Sequence, residues 1–436
     1  MQAKRGVDSA GYAYTLCEAA HGCRWGTGLV LCKRAQDGFW RRWSAALAAQ
    51  GLEVRSYIVE DLLTHPPADS LQSVSLPEEV VEFTLFRYGM PRAEARRQAR
   101  ALYAATQRII GGLHEPPLAA FLWGHSEHWH RAPALACRAA GVPTFHAEGA
   151  MFPRLSHLEH GRQLDGGHAV INRNGQYYED FSDIDRLWEA VGAEPLTRVQ
   201  AARIEAYIAA WRQARASKYG QPTEPLRLPT SAPAPTSAPA PSSAPAPSSA
   251  KRLLFVPLQI DRDASLFYAN DKVVGRGVDL LKLVAESAAP AHWDVIAKRH
   301  PHDASDDGPL RTLEARHEHV TIIQEANIHD LLAMADCVCG INSTVLLEAL
   351  CYDKPVIALG SACFTGRGFT IDIRDAASLR RALRPGGGQL RVTEQQQWRF
   401  RRFLHMMMWE GNGGNGFFVD IDRFDAARLI EGRVAE

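Results

Sequence analysis

The chain has 436 residues, 49 basic against 49 acidic side chains, a formal net charge of zero and 46% hydrophobic residues. Balanced charge excludes a general nucleic-acid binder, which carries a basic excess, and no uninterrupted apolar stretch of about 18 residues announces a membrane span. The N-terminal residues lack the continuous apolar core of a secretory signal, and eight cysteines are too sparse for a disulfide scaffold, so a reducing cytoplasm is the expected compartment.

One segment departs from this average. Residues 221–250 hold nine of the 25 prolines and no aromatic side chain, and their core repeats a hexapeptide: TSAPAP from Thr230, TSAPAP from Thr236, SSAPAP from Ser242. Such a run cannot bury enough apolar surface to offset the entropy of ordering it, and proline keeps it extended. It reads as a linker between an N-terminal domain, 1–220, and a C-terminal domain, 251–436.

In chain order, TGLVLCKR reads as a strand, FWRRWSAALAAQG as a helix stopped by Gly51, EVRSYIVE as a strand and the Arg- and Ala-rich 92–111 as a helix. LAAFLWG is then a strand, HRAPALACRAAG a helix, VPTFHAE a strand and 196–218 a long helix. Beyond the linker, LLFVPL, HWDVIAKRH, VTIIQ, CVCGI and KPVIALG are apolar runs of strand length, with helices over VDLLKLVAESA, HDLLAMAD and NSTVLLEALCYD. Apolar strands alternating with helices signify parallel sheets covered on both faces. The expected fold class is therefore α/β, two Rossmann-like doubly wound domains facing a cleft.

Ligands of open α/β sheets bind outside the carboxyl ends of the strands, and four polar clusters fall there. Gln259, Asp261, Asp263 and Ser265 follow LLFVPL; Lys298, Arg299, His300 and Asp303 follow HWDVIA; Asn342, Ser343 and Thr344 follow CVCGI; Glu148 and Gly149 follow VPTFH. Asn-Ser-Thr opens a helix, whose N-terminus combines free N–H groups with positive partial charge and suits a phosphate. Thr344 and Glu348 are four residues apart and share a helical face. Lys298 and His300 supply charge and a proton to a leaving phosphate, and Asp263 or Asp261 supplies a carboxylate. Each cluster is also explained by an ordinary polar loop or helix cap; the convergence of three on one sheet favours a site.

Other features read as structural. His125, Glu127, His128 and His130 lack the i, i+4 histidine spacing of a helical zinc site, and Cys337 and Cys339 alternate as buried strand residues do. Trp40, Trp43, Trp123 and Trp129 are expected in the core. GNGGNG over 411–416 lacks the lysine of a P-loop and reads as a loop. The runs 92–108 and 398–409 read as packed helices in preference to membrane-surface ones.

The set VPLQIDRDAS, KRHPHD and GINSTVLLEALCYDKPVIALG resembles the capsule polysaccharide synthesis and export family of Gram-negative bacteria, whose members include β-Kdo glycosyltransferases that use CMP-Kdo as donor (Kdo is 3-deoxy-manno-oct-2-ulosonic acid). QDGFWRRWSAALAAQG and VPTFHAEGAMFPRLSHLE are similar to segments of the family's first half. The resemblance implies a GT-B-like architecture and retaining transfer of β-Kdo to a lipid or oligosaccharide acceptor. It implies association with a capsule assembly and export complex, in the cytoplasm or peripherally on the inner membrane; a leaving CMP whose charge a helix N-terminus and His/Lys can meet needs no metal or other cofactor, and the balanced charge leaves no nucleic-acid partner expected. Carried over by motif, Asp263 is the nucleophilic carboxylate, Glu148 the acidic residue of the other domain and His300 a catalytic group. Gln259, Lys298, Asn342, Ser343, Thr344 and Glu348 bind the donor. The chain departs from the family at Ala147-Glu148-Gly149-Ala150, where a second acidic or amide residue is usual, and at Asp37, where Gly or Pro is more usual.

Three alternatives stay open. CDP-glycerol glycerophosphotransferases combine a similar Lys-x-His-Pro segment with a Ser-rich helix start, and UDP-sugar transferases share the architecture. A catalytically silent scaffold subunit of a capsule assembly complex would have no need of Asp263, Glu148 and His300 together.

Overall fold

The computed structural model describes residues 3–19, 26–64, 74–149, 152, 168–173, 181–215, 217, 220–224, 226, 251–269, 271–386, 390–420 and 424–431. In chain order the strands are β1 (Lys4–Val7), β2 (Ala13–Cys17), β3 (Gly26–Cys32), β4 (Leu52–Ile58), β5 (Ala119–Trp123), β6 (Thr144–Gly149) and β7 (His168–Arg173). They continue with β8 (Arg252–Pro257), β9 (Trp293–Lys298), β10 (Val320–Ile323), β11 (Cys337–Gly340), β12 (Val356–Ala358), β13 (Ile371–Asp372) and β14 (Phe418–Asp420). Two sheets result, with orders β1-β2-β4-β3-β5-β6-β7-β14 and β10-β9-β8-β11-β12-β13.

In the first sheet β4, β3, β5 and β6 are mutually parallel, and β1, β2, β7 and β14 extend it by antiparallel pairing. β3, GTGLVLC, is buried at all seven positions because strands flank it on both sides and helices cover both faces. On one face Trp40, Trp43 and Leu47 of the helix Asp37–Ala49 pack with Phe121 and Phe145. On the other, Leu29 and Leu31 meet Leu102 and Ala105 of the helix Arg92–Gly111.

The second sheet is wholly parallel. Taken from β8 as its first strand, its order is 3-2-1-4-5-6, that of a Rossmann doubly wound sheet. Its strands are continuous apolar runs, and Leu254, Val256, Val295, Ala297, Cys339 and Ile357 form one side of its core. Both units are thus Rossmann-like α/β, the class the patterning predicts.

The division between them differs from a cut at 221–250. Among the described residues, those of 3–191 and 405–431 form one compact unit and those of 192–404 the other. The helix Arg198–Ala214 groups with the second sheet because Trp211 lies against His329 and Tyr352, with ring centroids 4.7 and 5.9 Å apart, and Arg212 bonds Cys351 O and Asp353. The C-terminal residues group with the first sheet because β14 pairs with β7, Phe424 stacks on Trp43 at 4.4 Å, and Ala426 N donates to Gln50 Oε1 at 2.8 Å. Of the Pro/Ala/Ser-rich stretch, only 221–224 and 226 are among the described residues.

GNGGNG is also more than a loop. Gly411–Gly414 is a helical turn after the helix Glu394–Trp409, and Gly416 has φ +75°, where a Cβ would fall 2.2 Å from Met408 O. Only glycine lets the backbone pass there. In the 398–409 run Phe400, Phe403, Leu404, Met406 and Met407 are buried, as in a packed helix. No helix among the described residues is long and apolar enough to cross a membrane.

Candidate functional site

The strand order of the second unit reverses between β8 and β11, so the crevice at a switch point lies beyond their carboxyl ends. Three of the predicted clusters arrive there. Leu258 and Gln259 continue β8, Lys298 closes β9 with Arg299-His300-Pro301 after it, and Asn342-Ser343 follow β11 into the helix Thr344–Leu350. Lys298, Arg299, His300, Ser343, Thr344 and Glu348 line one open pocket, whose apolar wall is Pro257, Leu258, Pro301, Ile328 and Val345. Ser217 and Gln221 complete it. No sequence pattern singles out these two, because Ser217 stands just before the Pro-rich stretch, Gln221 opens it, and neither belongs to a strand end.

Each polar group has a definite state. Lys298 is buried, with Nζ 3.5 Å from Arg299 O. Burial pushes its ammonium below the usual lysine range, and the carboxylate of Glu348 pulls partly back. His300 Nδ1 accepts the backbone N–H of His302 at 3.1 Å, so the neutral ring carries its proton on Nε2 and is a donor there. Ser343 is the N-cap, its Oγ accepting Val345 N–H at 3.3 Å. Arg299 is buried and holds its own loop together: Nη2 donates to Ser305 O at 2.8 Å and to Asp303 Oδ2 at 3.2 Å. Burial alone would raise the Asp303 carboxyl, but hydrogen bonds from Ser305 and the charge of Arg299 hold it below its ordinary value. Arg299 thus ties this loop together while also lining the pocket.

Gln259, Asn342 and Asp263 form a second group at the same switch point. Gln259 Nε2 donates to Asn342 Oδ1 at 3.0 Å and to Ser265 Oγ at 3.1 Å, while Gln259 Oε1 accepts Asn342 N–H at 3.3 Å. Asn342 Nδ2 donates to Ser265 O at 2.9 Å and Ser361 O at 3.2 Å. The two amides expected to bind the donor thus face each other. Asp263 caps the helix Ala264–Tyr268, its Oδ1 accepting from Ser265 N at 2.9 Å and Ser265 Oγ at 2.7 Å. Asp261, the other carboxylate of this segment, accepts Gly277 N on Oδ1 at 2.6 Å.

Glu148 belongs to the first unit, at the end of β6 and opposite Val170 of β7. A Cβ on Gly124, whose φ is +65°, would lie 3.4 Å from Glu148 Oε1, so the carboxylate rests on the turn that ends β5. Beneath it His146 donates from Nδ1 to Gly124 O at 2.7 Å and accepts on Nε2 from Thr144 Oγ1 at 3.1 Å. Burial holds this imidazole neutral, well below the usual histidine range. Around the HSEHWH segment, His128 bonds Thr84 and Gln98 at 3.0 Å each, and Glu127 takes Lys33 at 3.6 Å. Among the described residues no group of three or more His, Cys, Asp or Glu side chains is placed to hold a metal ion.

Residues 232–387 match the family model of capsule polysaccharide biosynthesis proteins. That region runs from before β8 to the helix Ala376–Leu383 and contains Gln259, Asp263, Lys298, His300, Asn342, Ser343, Thr344 and Glu348. No curated protein matches the chain. Among solved structures, the chain is similar to the β-Kdo 2,7 transferase of Thermosulfurimonas dismutans KpsC at 15% identity, covering 88% of this chain and 90% of that one, TM-score 0.45. It is similar to the β-Kdo 2,4 transferase of the same protein at 18% identity, 73% and 88% coverage and TM-score 0.43. A UDP-GlcNAc 2-epimerase from Neisseria meningitidis, bound to UDP-GlcNAc, follows at 11% identity, 86% and 95% coverage and TM-score 0.33. With scores this low, the fold assignment rests on the two strand orders.

Proposed function

We propose that this chain is a glycosyltransferase of capsular or surface polysaccharide biosynthesis that transfers β-Kdo from CMP-Kdo, with retention, to a lipid or glycan acceptor. One observation carries the reading. Lys298, His300, Ser343, Thr344 and Glu348 converge on one pocket at a strand-order reversal, inside the region that matches the capsule polysaccharide biosynthesis family. The chemistry is consistent with it. CMP leaves as a phosphate monoester whose charge suits a buried ammonium, an Nε2–H donor and the first N–H groups of a helix.

In this reading Asp263 attacks the anomeric carbon of Kdo. Its oxygen–carbon bond forms as the carbon–phosphate oxygen bond breaks, and CMP takes the electron pair. The acceptor hydroxyl then displaces the carboxylate, losing its proton to a general base. Two inversions give net retention. Work at the cytoplasmic face of a membrane, beside other capsule assembly proteins, belongs to the same reading.

The test is to incubate purified protein with CMP-Kdo, following CMP release and intact mass. Release, with a mass increase of one Kdo on the wild type and none on Asp263→Ala, supports the proposal. Full activity of Asp263→Ala overturns the nucleophile assignment. Turnover of CDP-glycerol alone decides for a glycerophosphotransferase, and donor binding with no turnover decides for a scaffold.

A further inference from the structure

We propose that Ser265 is a positioning residue for Asp263, the end of a hydrogen-bond relay that starts at the backbone of Asn342 and passes through Gln259. The inference rests on the reading of Asp263 as the carboxylate that meets the donor.

The direction of every bond in the relay is fixed. Gln259 Oε1 accepts a backbone N–H, that of Asn342, so the other amide atom of Gln259 is the NH₂ group. That group donates to Asn342 Oδ1 and Ser265 Oγ. The Asn342 amide is oriented independently, because Nδ2 faces two carbonyls, Ser265 O and Ser361 O, which only accept. Ser265 Oγ, holding the Gln259 N–H on a lone pair, turns its own proton to Asp263 Oδ1 at 2.7 Å.

The consequence falls on the carboxylate. Among the described residues, both hydrogen bonds to the Asp263 carboxylate, from Ser265 N and Ser265 Oγ, land on Oδ1. Rotation about the Cβ–Cγ bond would exchange the two oxygens; two donors on one of them oppose that rotation and present Oδ2 as the attacking atom. A helix cap alone needs only the backbone bond from Ser265 N, and the helix it caps has five residues. The hydroxyl and the Gln259 amide behind it are additional to capping, and they connect the carboxylate to the end of β11, the strand that leads into the pocket helix.

This assigns Gln259 a role different from binding the donor, and kinetics separate the two. Removing a group that binds the donor raises KM, whereas removing a positioning residue lowers kcat and leaves KM in place. Full-length wild type, Ser265→Ala, Ser265→Thr, Gln259→Leu and Asp263→Ala are compared for CMP release from CMP-Kdo, with thermal melting to verify folding. Ser265→Ala keeps the backbone cap and is expected to lose about 10–100-fold in kcat with KM within about three-fold. Ser265→Thr, which keeps the hydroxyl, is expected to restore most of the rate, and Gln259→Leu to lower kcat in the same direction. Full rate in a folded Ser265→Ala beside a dead Asp263→Ala overturns the positioning role alone, as does a Gln259→Leu defect confined to KM. Misfolding of Ser265→Ala with native, fully active Ser265→Thr and Gln259→Leu assigns Ser265 to stability and likewise overturns it. No turnover by the wild type, or full turnover by Asp263→Ala, overturns the reading beneath it and the relay's function with it.

Discussion

Gln259 and Asn342 bond each other twice, once through the two side-chain amides at 3.0 Å and once from the Asn342 backbone N–H to Gln259 Oε1 at 3.3 Å. The pair ties the ends of β8 and β11 together at the point where the strand order of the second sheet reverses. A crevice there is a gap between diverging loops, and this bond pair keeps its floor from opening.

The first prediction follows from the buried position of Asn342. Asn342→Ala removes an acceptor from Gln259 and two donors from the carbonyls of Ser265 and Ser361. Leaving a buried polar group unpaired costs about 1–3 kcal/mol, and because the three partners are only part-buried and water reaches some of them, a loss of about 2–4 kcal/mol in all is expected, read as a lower midpoint of urea unfolding. A change below about 0.5 kcal/mol would mean that water replaces the amide at no cost.

Lys298 gives the second. Burial lowers its pKa while Glu348 opposes that shift. A phosphate bound in the pocket favours the ammonium and raises the pKa again, so binding takes up protons wherever Lys298 is partly neutral in the free protein. CMP affinity is therefore expected to weaken as pH rises through the depressed lysine pKa, and calorimetry in two buffers of different ionisation enthalpy is expected to register proton uptake on that alkaline side. Lys298→Met removes the uptake and weakens CMP by about 10–100-fold, the worth of a hydrogen bond to a charged group. Unchanged affinity in that variant places the phosphate elsewhere.

Legibility in the sequence follows burial. LLFVP, WDVIAK, CVCG and VIA are strands covered on both faces, and continuous apolar runs announce them. β1, β13 and β14 do not announce themselves: KRGV lies largely exposed at one sheet edge, ID has two residues, and FVD pairs with a strand some 250 positions earlier in the chain. The true division between units is hidden for a related reason: the proline run is conspicuous, while the packing of Trp211 and Phe424 that decides the division is long-range. At the site, Lys298, His300, Ser343, Thr344 and Glu348 are legible because strand ends must meet at a switch point. The inward pairing of Gln259 with Asn342 is not, since spacing carries no information on which way an amide turns; the closeness in sequence of Gln259, Asp263 and Ser265 is the signal the relay leaves there.

Phe424 gives the third prediction. It lies 7% exposed and parallel to Trp43, with an interplanar angle of 5° at 4.4 Å between centroids. Gln50 secures the same segment by donating to Phe424 O at 3.0 Å and accepting from Ala426 N. Phe424→Ala is expected to destabilise the first unit by about 3–5 kcal/mol, the range for deleting a buried aromatic ring. Limited proteolysis should then cut residues 3–191 and 405–431 sooner, while the 251–404 fragment persists as in the wild type. Equal acceleration in both units would show that the C-terminal segment supports the second sheet as well.

The last prediction concerns acid. Burial is the largest influence on His128 and His130, followed for both by the charge of Lys33, and it lowers them from 6.5 to about 4 and about 3. Glu94 opposes the shift at His128. Both rings are neutral in the folded state at every pH above these values, whereas in the unfolded chain they take up protons as pH falls below 6.5. Their contribution to stability is thus fully present above 6.5, shrinks as pH falls below it, and is lost once pH passes through the folded values near 4 and 3. At pH 5 the loss is about 2 kcal/mol for each imidazole. His130→Leu removes one of the two titrations and fills the same buried volume with carbon. It is expected to match the wild type at pH 8 within about 1 kcal/mol and to lose less melting temperature between pH 8 and pH 5. A variant that falls as steeply as the wild type over that range would show that His130 is not the group whose protonation opens the first unit.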